Sequence, residues 1–432
     1  MTRASWFKRE VRARMEKTGE RYTTARAHVL AARGVAADDD RGPCVPGVCS
    51  DTGAVRNFLE ASGVRTPEGE PLSEAMVTGL AGGVGFLYIV FEYKDTPPLL
   101  SVLTRYDSAA DRFAAGALER LGLEADLQET TSASKARKTL DAALDAGRPF
   151  LCVVDQIALE RSLGPAEYRG MMPTLVCVTG RDGDELIVDT GAAEPLRVAP
   201  DAFAGMRAAY KKGKHRSWTV KESEVTDLDS AVRRAVSDCA QRYTEAPYKG
   251  YASNFGLAGM EKWARLLVDE KDKKGWPKLF PEGGAACLAL RRTYQGLQHE
   301  LTPPAAGRGL YAEFLREAAR ITGHAPYSGA AERYDTAAER WTRIAERIAS
   351  CGVPEVRTGC EMLDRYAEFL DEQATSSGSK LALELRESSK QGELSKESAR
   401  ALYRELAELV ESAIDAERNA LAALENAVEV KA

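Results

Sequence analysis

Histidine is scarce in this chain of 432 residues: four in all, at positions 28, 215, 299 and 324. No two of them stand at the spacing of a metal-binding helix, and no Ser-centred elbow or paired-carboxylate motif accompanies them. The eight cysteines, at 44, 49, 152, 177, 239, 287, 351 and 360, include no Cys-x2-Cys pair. A zinc site is therefore not expected, and in a reducing compartment the thiols read as small buried apolar residues rather than a disulfide framework. The residues imply neither a metal nor a cofactor. Apolar runs are short as well. The longest, such as Gly85–Phe91, fall far below what a bilayer span needs, so no membrane segment is expected. The N-terminus has no apolar stretch followed by small residues, which argues against a secretory signal and leaves the cytoplasm as the expected location. A net charge of −6 argues against nucleic acid as the main partner.

The chain is too long for one hydrophobic core, so two or three domains are expected. Residues 1–34 form a basic helical arm with nine Lys/Arg against three Asp/Glu. It reads either as a docking arm for an anionic or protein partner or as a solvated extension packed on the body. Residues 35–47, with three Asp and two Pro, read as a linker. From 48 to 225 short helices and strands alternate. Helices are predicted at Cys49–Ser62, Ser73–Leu80, Ala109–Leu121, Ser134–Ala146 and Asp201–Tyr210. Strands are predicted at Phe86–Tyr93, Leu99–Thr104, Asp126–Thr131, Phe150–Val154, Thr174–Thr179, Leu186–Asp189 and Arg216–Val220, with a hairpin turn at Arg181–Asp184. This is an α+β domain. Residues 226–432 read as all-helical, ending in a long amphipathic tail whose i, i+4 pattern (Leu402, Leu406, Val410, Ile414) fits an intramolecular bundle or a homodimer contact.

Cys49 stands out on chemistry. It opens a predicted helix after a Pro/Gly-rich loop, where unpaired backbone N–H groups favour a thiolate and can serve as an oxyanion hole. Ser50 and Asp51 are natural cap residues there, and Asp51 would oppose a thiolate. Ser73 caps the next helix. The glycines of Gly79–Gly85 lie between a helix and a following strand, the reverse of a phosphate cradle, and lack a Lys-Ser/Thr pair. They read as close backbone packing or as the wall of a substrate channel. The basic run Lys211–Arg216 reads as a solvated turn.

The stretches Cys49–Gly63, Leu72–Tyr88, Glu129–Ala136 and Gly147–Asp155 together resemble the butirosin biosynthesis protein H family. The helical half, with Asn254–Trp263, Gly309–Ala319 and Ala338–Trp341, resembles the uncharacterised domain that commonly follows it. The resemblance implies a papain-like N-terminal domain, related to bacteriocin-processing cysteine peptidases, followed by an all-α domain. It implies a Cys-dependent acyltransferase that moves an acyl or aminoacyl group from a carrier-protein thioester to a small amine acceptor in specialised metabolism. Cys49 matches the nucleophile and Asp189 the orienting acid. The usual His falls on Thr174, and the His that usually precedes the nucleophile is Val48. His215, on the last predicted strand, is then the candidate base. Substrate contacts are expected at Asp51, Ser73, Glu74, Gly82, Gly83 and Thr174. Two alternatives stay open: a catalytically degenerate papain-like binding module, and a cysteine peptidase or amidase.

Overall fold

The computed structural model describes residues 3–33, 45–92, 98–105, 109–159, 169–246, 249–300, 302, 304–371, 381, 384 and 392–429. Most of the expected linker lies outside them. The chain runs α1 (Arg3–Thr18), α2 (Tyr22–Arg33), α3 (Ser50–Ala61), α4 (Glu74–Ala81), β1 (Leu87–Phe91), β2 (Leu99–Leu103), α5 (Ala110–Arg120), β3 (Ala125–Gln128), α6 (Ala133–Asp145), β4 (Phe150–Asp155), β5 (Pro173–Asp182), β6 (Glu185–Asp189), β7 (Leu196–Val198), α7 (Pro200–Ala209) and β8 (Ser217–Val220). Helices follow: α8 (Leu228–Thr244), α9 (Gly256–Val268), α10 (Trp276–Leu279), α11 (Gly283–Gln298), α12 (Arg308–Thr322), α13 (Pro326–Ala349), α14 (Pro354–Asp371) and α15 (Lys396–Glu429). A mixed α/β region is thus followed by a helical one. Among the described residues no helix is long and apolar enough to cross a membrane.

The chain divides into two compact units, and each draws on three separate segments. The first comprises Met1–Ala81, Ala109–Ala231 and Arg365–Leu383. Its centre is an antiparallel six-stranded sheet of order β3-β8-β4-β5-β6-β7. The β5–β6 hairpin turns at Gly183, where φ is +58°, a conformation glycine adopts without strain. Strand alternation then sorts the two faces. Phe150, Cys152 and Val154 of β4, Val176 and Val178 of β5, and Leu186 and Val188 of β6 share a core with Leu140 and Ala143 of α6 and Phe203 of α7. The opposite face carries Leu175, Cys177 and Asp189, with Cys177 and Asp189 directly paired across β5 and β6. That face receives α3. The basic arm is anchored by a small apolar cluster of its own, in which Phe7, Val11, Tyr22, Ala25 and Val29 pack with Ala193 and the partly buried Ala367.

The second unit comprises Gly82–Ser108, Val232–Asp364 and Glu384–Ala432. It holds the β1–β2 hairpin, paired from Leu87↔Leu103 to Phe91↔Leu99. Phe86 stacks on Trp263 and Trp341, with ring centroids 6.0 and 5.7 Å away. Tyr88 Oη accepts a hydrogen bond of 3.0 Å from Trp276 Nε1. Deep in the helices, Glu417 accepts from Arg308 Nε at 2.6 Å, Trp341 Nε1 at 2.6 Å and Tyr243 Oη at 2.9 Å. Arg308 also donates to the carbonyls of Gly85 and Thr104, each at 2.9 Å. Both ions are fully buried, so every donor and acceptor in the network is needed to offset their desolvation.

Candidate functional site

Cys49 is the N-cap residue of α3, with extended backbone (φ −126°, ψ 139°), and its side chain makes no capping bond. The cap comes from Glu74, the first residue of α4. Its carboxylate accepts from Cys49 N at 2.9 Å, Val48 N at 2.7 Å and Thr52 Oγ1. Arg56 stands 3.8 Å from the same carboxylate. An anion at a helix N-terminus satisfies orphan N–H groups and complements the helix dipole, so this arrangement stabilises α3. It also corrects one sequence expectation. The backbone N–H groups of Val48 and Cys49 are not open donors for an oxyanion, because Glu74 already holds them.

The rest of the cluster is buried and polar. Asp51 Oδ1 accepts from Thr174 Oγ1 at 3.1 Å and from Leu175 N at 3.3 Å. Asp189 Oδ1 accepts from Gly191 N at 2.7 Å, and its Oδ2 accepts from Asn57 Nδ2 at 2.6 Å. Cys49 and Glu74 are each 7% exposed, Asp51 1% and Asp189 0%. The loop after Asp189 reaches α3 because three glycines let backbone meet backbone. Gly47 N donates to Gly191 O at 2.9 Å, and a Cβ on Gly53 would stand 2.8 Å from Gly47 Cα. The arm reaches this loop too, through a hydrogen bond from buried Arg26 to Gly47 O.

The structure therefore brings Glu74 to Cys49 and Thr174 to Asp51 at the start of α3, while Asp189 is held by Asn57, two turns further along the same helix. Ser73 stands at the edge of that set, where its Oγ accepts from Met76 N at 2.9 Å and caps α4. His215 is not brought there. It lies in the turn before β8 rather than on the strand, at φ +48°, and faces α6 and α7 on the side of the sheet opposite α3. It lines a cavity of about 20 Å³ with Leu140, Leu186, Phe203 and Arg207. Burial, and then the Arg207 guanidinium, push its pKa below the ordinary imidazole value. The other histidines are engaged elsewhere: His28 with Glu20 at 3.0 Å, His299 with Asp364 at 3.1 Å and His324 with Ala427 O at 2.7 Å. Gly82 and Gly83 belong to the second unit. A side chain on Gly83 would collide there with the Tyr311 ring and Cys239 Sγ, at 2.7 and 2.8 Å, so this glycine serves close packing.

Sequence reasoning missed Asn57, Glu74 as a cap, and the three-glycine contact. One signal was present: positions 49, 53 and 57 form a single helical stripe, and a glycine followed by an asparagine on a buried face marks close approach and a buried polar partner.

Two stretches of the chain match known families. Residues 49–190 match the family described as Butirosin biosynthesis protein H, N-terminal, a match that begins at Cys49 and ends one residue past Asp189. Residues 204–376 match a Domain of unknown function (DUF4872). No curated protein matches the chain.

Proposed function

The chain belongs to the butirosin biosynthesis protein H family, followed by its partner domain of unknown function, and from that premise we propose that it serves acyl transfer in specialised metabolism as a binding component. In this reading the N-terminal domain is papain-like in descent. It holds an acyl thioester presented by a carrier protein, or the small amine that accepts the acyl group, without forming an acyl-enzyme at Cys49. One observation carries the reading. The Cys49 N–H and the Val48 N–H before it both end on the Glu74 carboxylate, while the position where the family places its base is a threonine bonded to Asp51. Thiol catalysis of acyl transfer needs a thiolate, a proton acceptor and oxyanion donors. Here a carboxylate, that of Glu74, is bonded to the Cys49 N–H itself, and each described histidine is engaged or placed away from Cys49, so no proton acceptor is assigned.

A second reading is the acyltransferase itself, with Cys49 as nucleophile. It is favoured by the helix-cap position of Cys49 and by the firm seating of Asp189. Thiolates attack thioesters without strong base assistance, which keeps this chemistry accessible. A peptidase or amidase would require the same thiolate against a poorer leaving group. Intact-protein mass after incubation with a panel of acyl thioesters separates the readings. The binding component gives no adduct on Cys49, and the Cys49→Ala chain keeps its affinity for the carrier. A stable acyl mass mapped to Cys49 would overturn the proposal in favour of the transferase.

A further inference from the structure

On the α6 side of the sheet, strands β3 and β8 extend past the cover of α6 and leave a groove of about 340 Å³, within the range of small-molecule sites, ~300–1,000 Å³. Its floor is polar where a covered sheet face is normally apolar: Asp126 of β3 and Ser217 and Thr219 of β8 line it, beside Phe150. The register explains this, since Asp126 pairs with Thr219 and Gln128 with Ser217, putting all four on one face. Ser217 and Thr219 are buried, at 1% and 6% exposure. Three cations surround the floor: Lys135 and Lys138 from α6, and Arg148 just before β4.

None of these three cations forms an ion pair with a described carboxylate. Arg148 Nε is buried and has no hydrogen-bond partner among the described residues. The rest of the Arg148 side chain is partly exposed at the groove, so a ligand entering there can supply the acceptor its Nε–H lacks. The single carboxylate in the lining, Asp126, already accepts from Gln128 Nε2 at 2.7 Å. The neighbouring Lys221 is paired with Glu124 at 3.0 Å and adds no free charge. The lining thus has an excess of two positive charges and one vacant guanidinium donor.

We infer that this groove binds a phosphate monoester, whose dianion matches the excess charge and whose organic body lies toward Phe150 and the α6 side chains. A guanidinium fork flanked by ammonium groups is a donor set suited to phosphate. The inference is independent of the chemistry at Cys49, which lies under the other face of the sheet.

Calorimetric titration of the full chain with phenyl phosphate tests it, with benzoate as the singly charged comparison. The expected result is one saturable site that weakens about tenfold in Arg148→Gln and again in Lys138→Gln, the size of a lost charge-assisted hydrogen bond. Lys138 is exposed on a helix, so its variant reports on binding even if Arg148→Gln perturbs folding. Lys211→Gln, in the exposed basic turn, should leave affinity unchanged. Absence of saturable binding, equal affinity for benzoate, or an equal loss in Lys211→Gln would each overturn the inference.

Discussion

At the scale of single residues, Glu74 governs the candidate site. Its carboxylate is the acceptor for three donors, two of them backbone N–H groups at the start of α3. Glu74→Ala strands those donors in a buried place. With each costing roughly 1–3 kcal/mol and water recovering part, a loss of about 2–4 kcal/mol is expected in urea denaturation. Glu74→Gln keeps an acceptor oxygen and removes the charge. It should lose less stability and alkylate faster at Cys49 with iodoacetamide; an unchanged rate would show that access rather than charge limits the thiol. His215 offers a second residue-scale test. Because its pKa is lowered on folding, the unfolded chain binds the proton more readily. Its contribution to stability is therefore complete above the ordinary imidazole value and is lost as pH falls from there through the lower folded value. His215→Gln should flatten the fall in urea midpoint between about pH 7 and about pH 5, relative to the parent chain. Identical slopes would refute this.

At the scale of elements, the contact between α3 and the loop after β6 reverses a usual rule. Replacing glycine by alanine inside a helix ordinarily gains up to ~1 kcal/mol. At Gly53 the new methyl would meet Gly47 Cα at 2.8 Å and Gly191 Cα at 3.2 Å, backbone on both sides, so crowding wins. Gly53→Ala is expected to destabilise by about 1–3 kcal/mol, read from the urea midpoint, and a gain would mean that the loops part easily. Element by element, much was legible in the sequence. The predicted strand Phe150–Val154 is β4, Leu186–Asp189 is β6, and the helix at Cys49–Ser62 is α3, each within a residue or two at its ends. Strong apolar periodicity and clear Gly or Asp-Gly stops made these visible. β7, at Leu196–Val198, is three residues long and too short for alternation to register. The order β3-β8-β4-β5-β6-β7 depends on which edges meet, which no local pattern encodes. The cluster around Cys49 was half legible for the same reason: Cys49, Asp51 and Asp189 are marked by their positions along the chain, whereas Glu74 acts from another helix. His215 was misplaced because it lies in the turn before β8, where strand alternation no longer decides which side a residue faces.

At the scale of the molecule, chain order and compact units disagree. A cut near residue 226 separates the α+β pattern from the helical one, yet the second unit also includes Gly82–Ser108. That segment supplies Phe86 and Tyr88 to the aromatic stack with Trp263 and Trp341. It also supplies the Gly85 and Thr104 carbonyls that Arg308 uses. In a fragment of residues 226–432 the Arg308 guanidinium would keep Glu417 but lose two acceptors, and a buried cation so depleted is strongly unfavourable. The exposed faces of Trp263 and Trp341 would add an apolar liability. This fragment is therefore expected to retain helical far-UV dichroism but to lack fixed aromatic signals in the near-UV and a cooperative thermal transition, the signature of secondary structure without specific packing. Adding residues 82–108 as a separate peptide should restore near-UV signal if the hairpin completes the core. A fragment that melts cooperatively alone would show instead that the helices suffice and that the hairpin is an accessory to them.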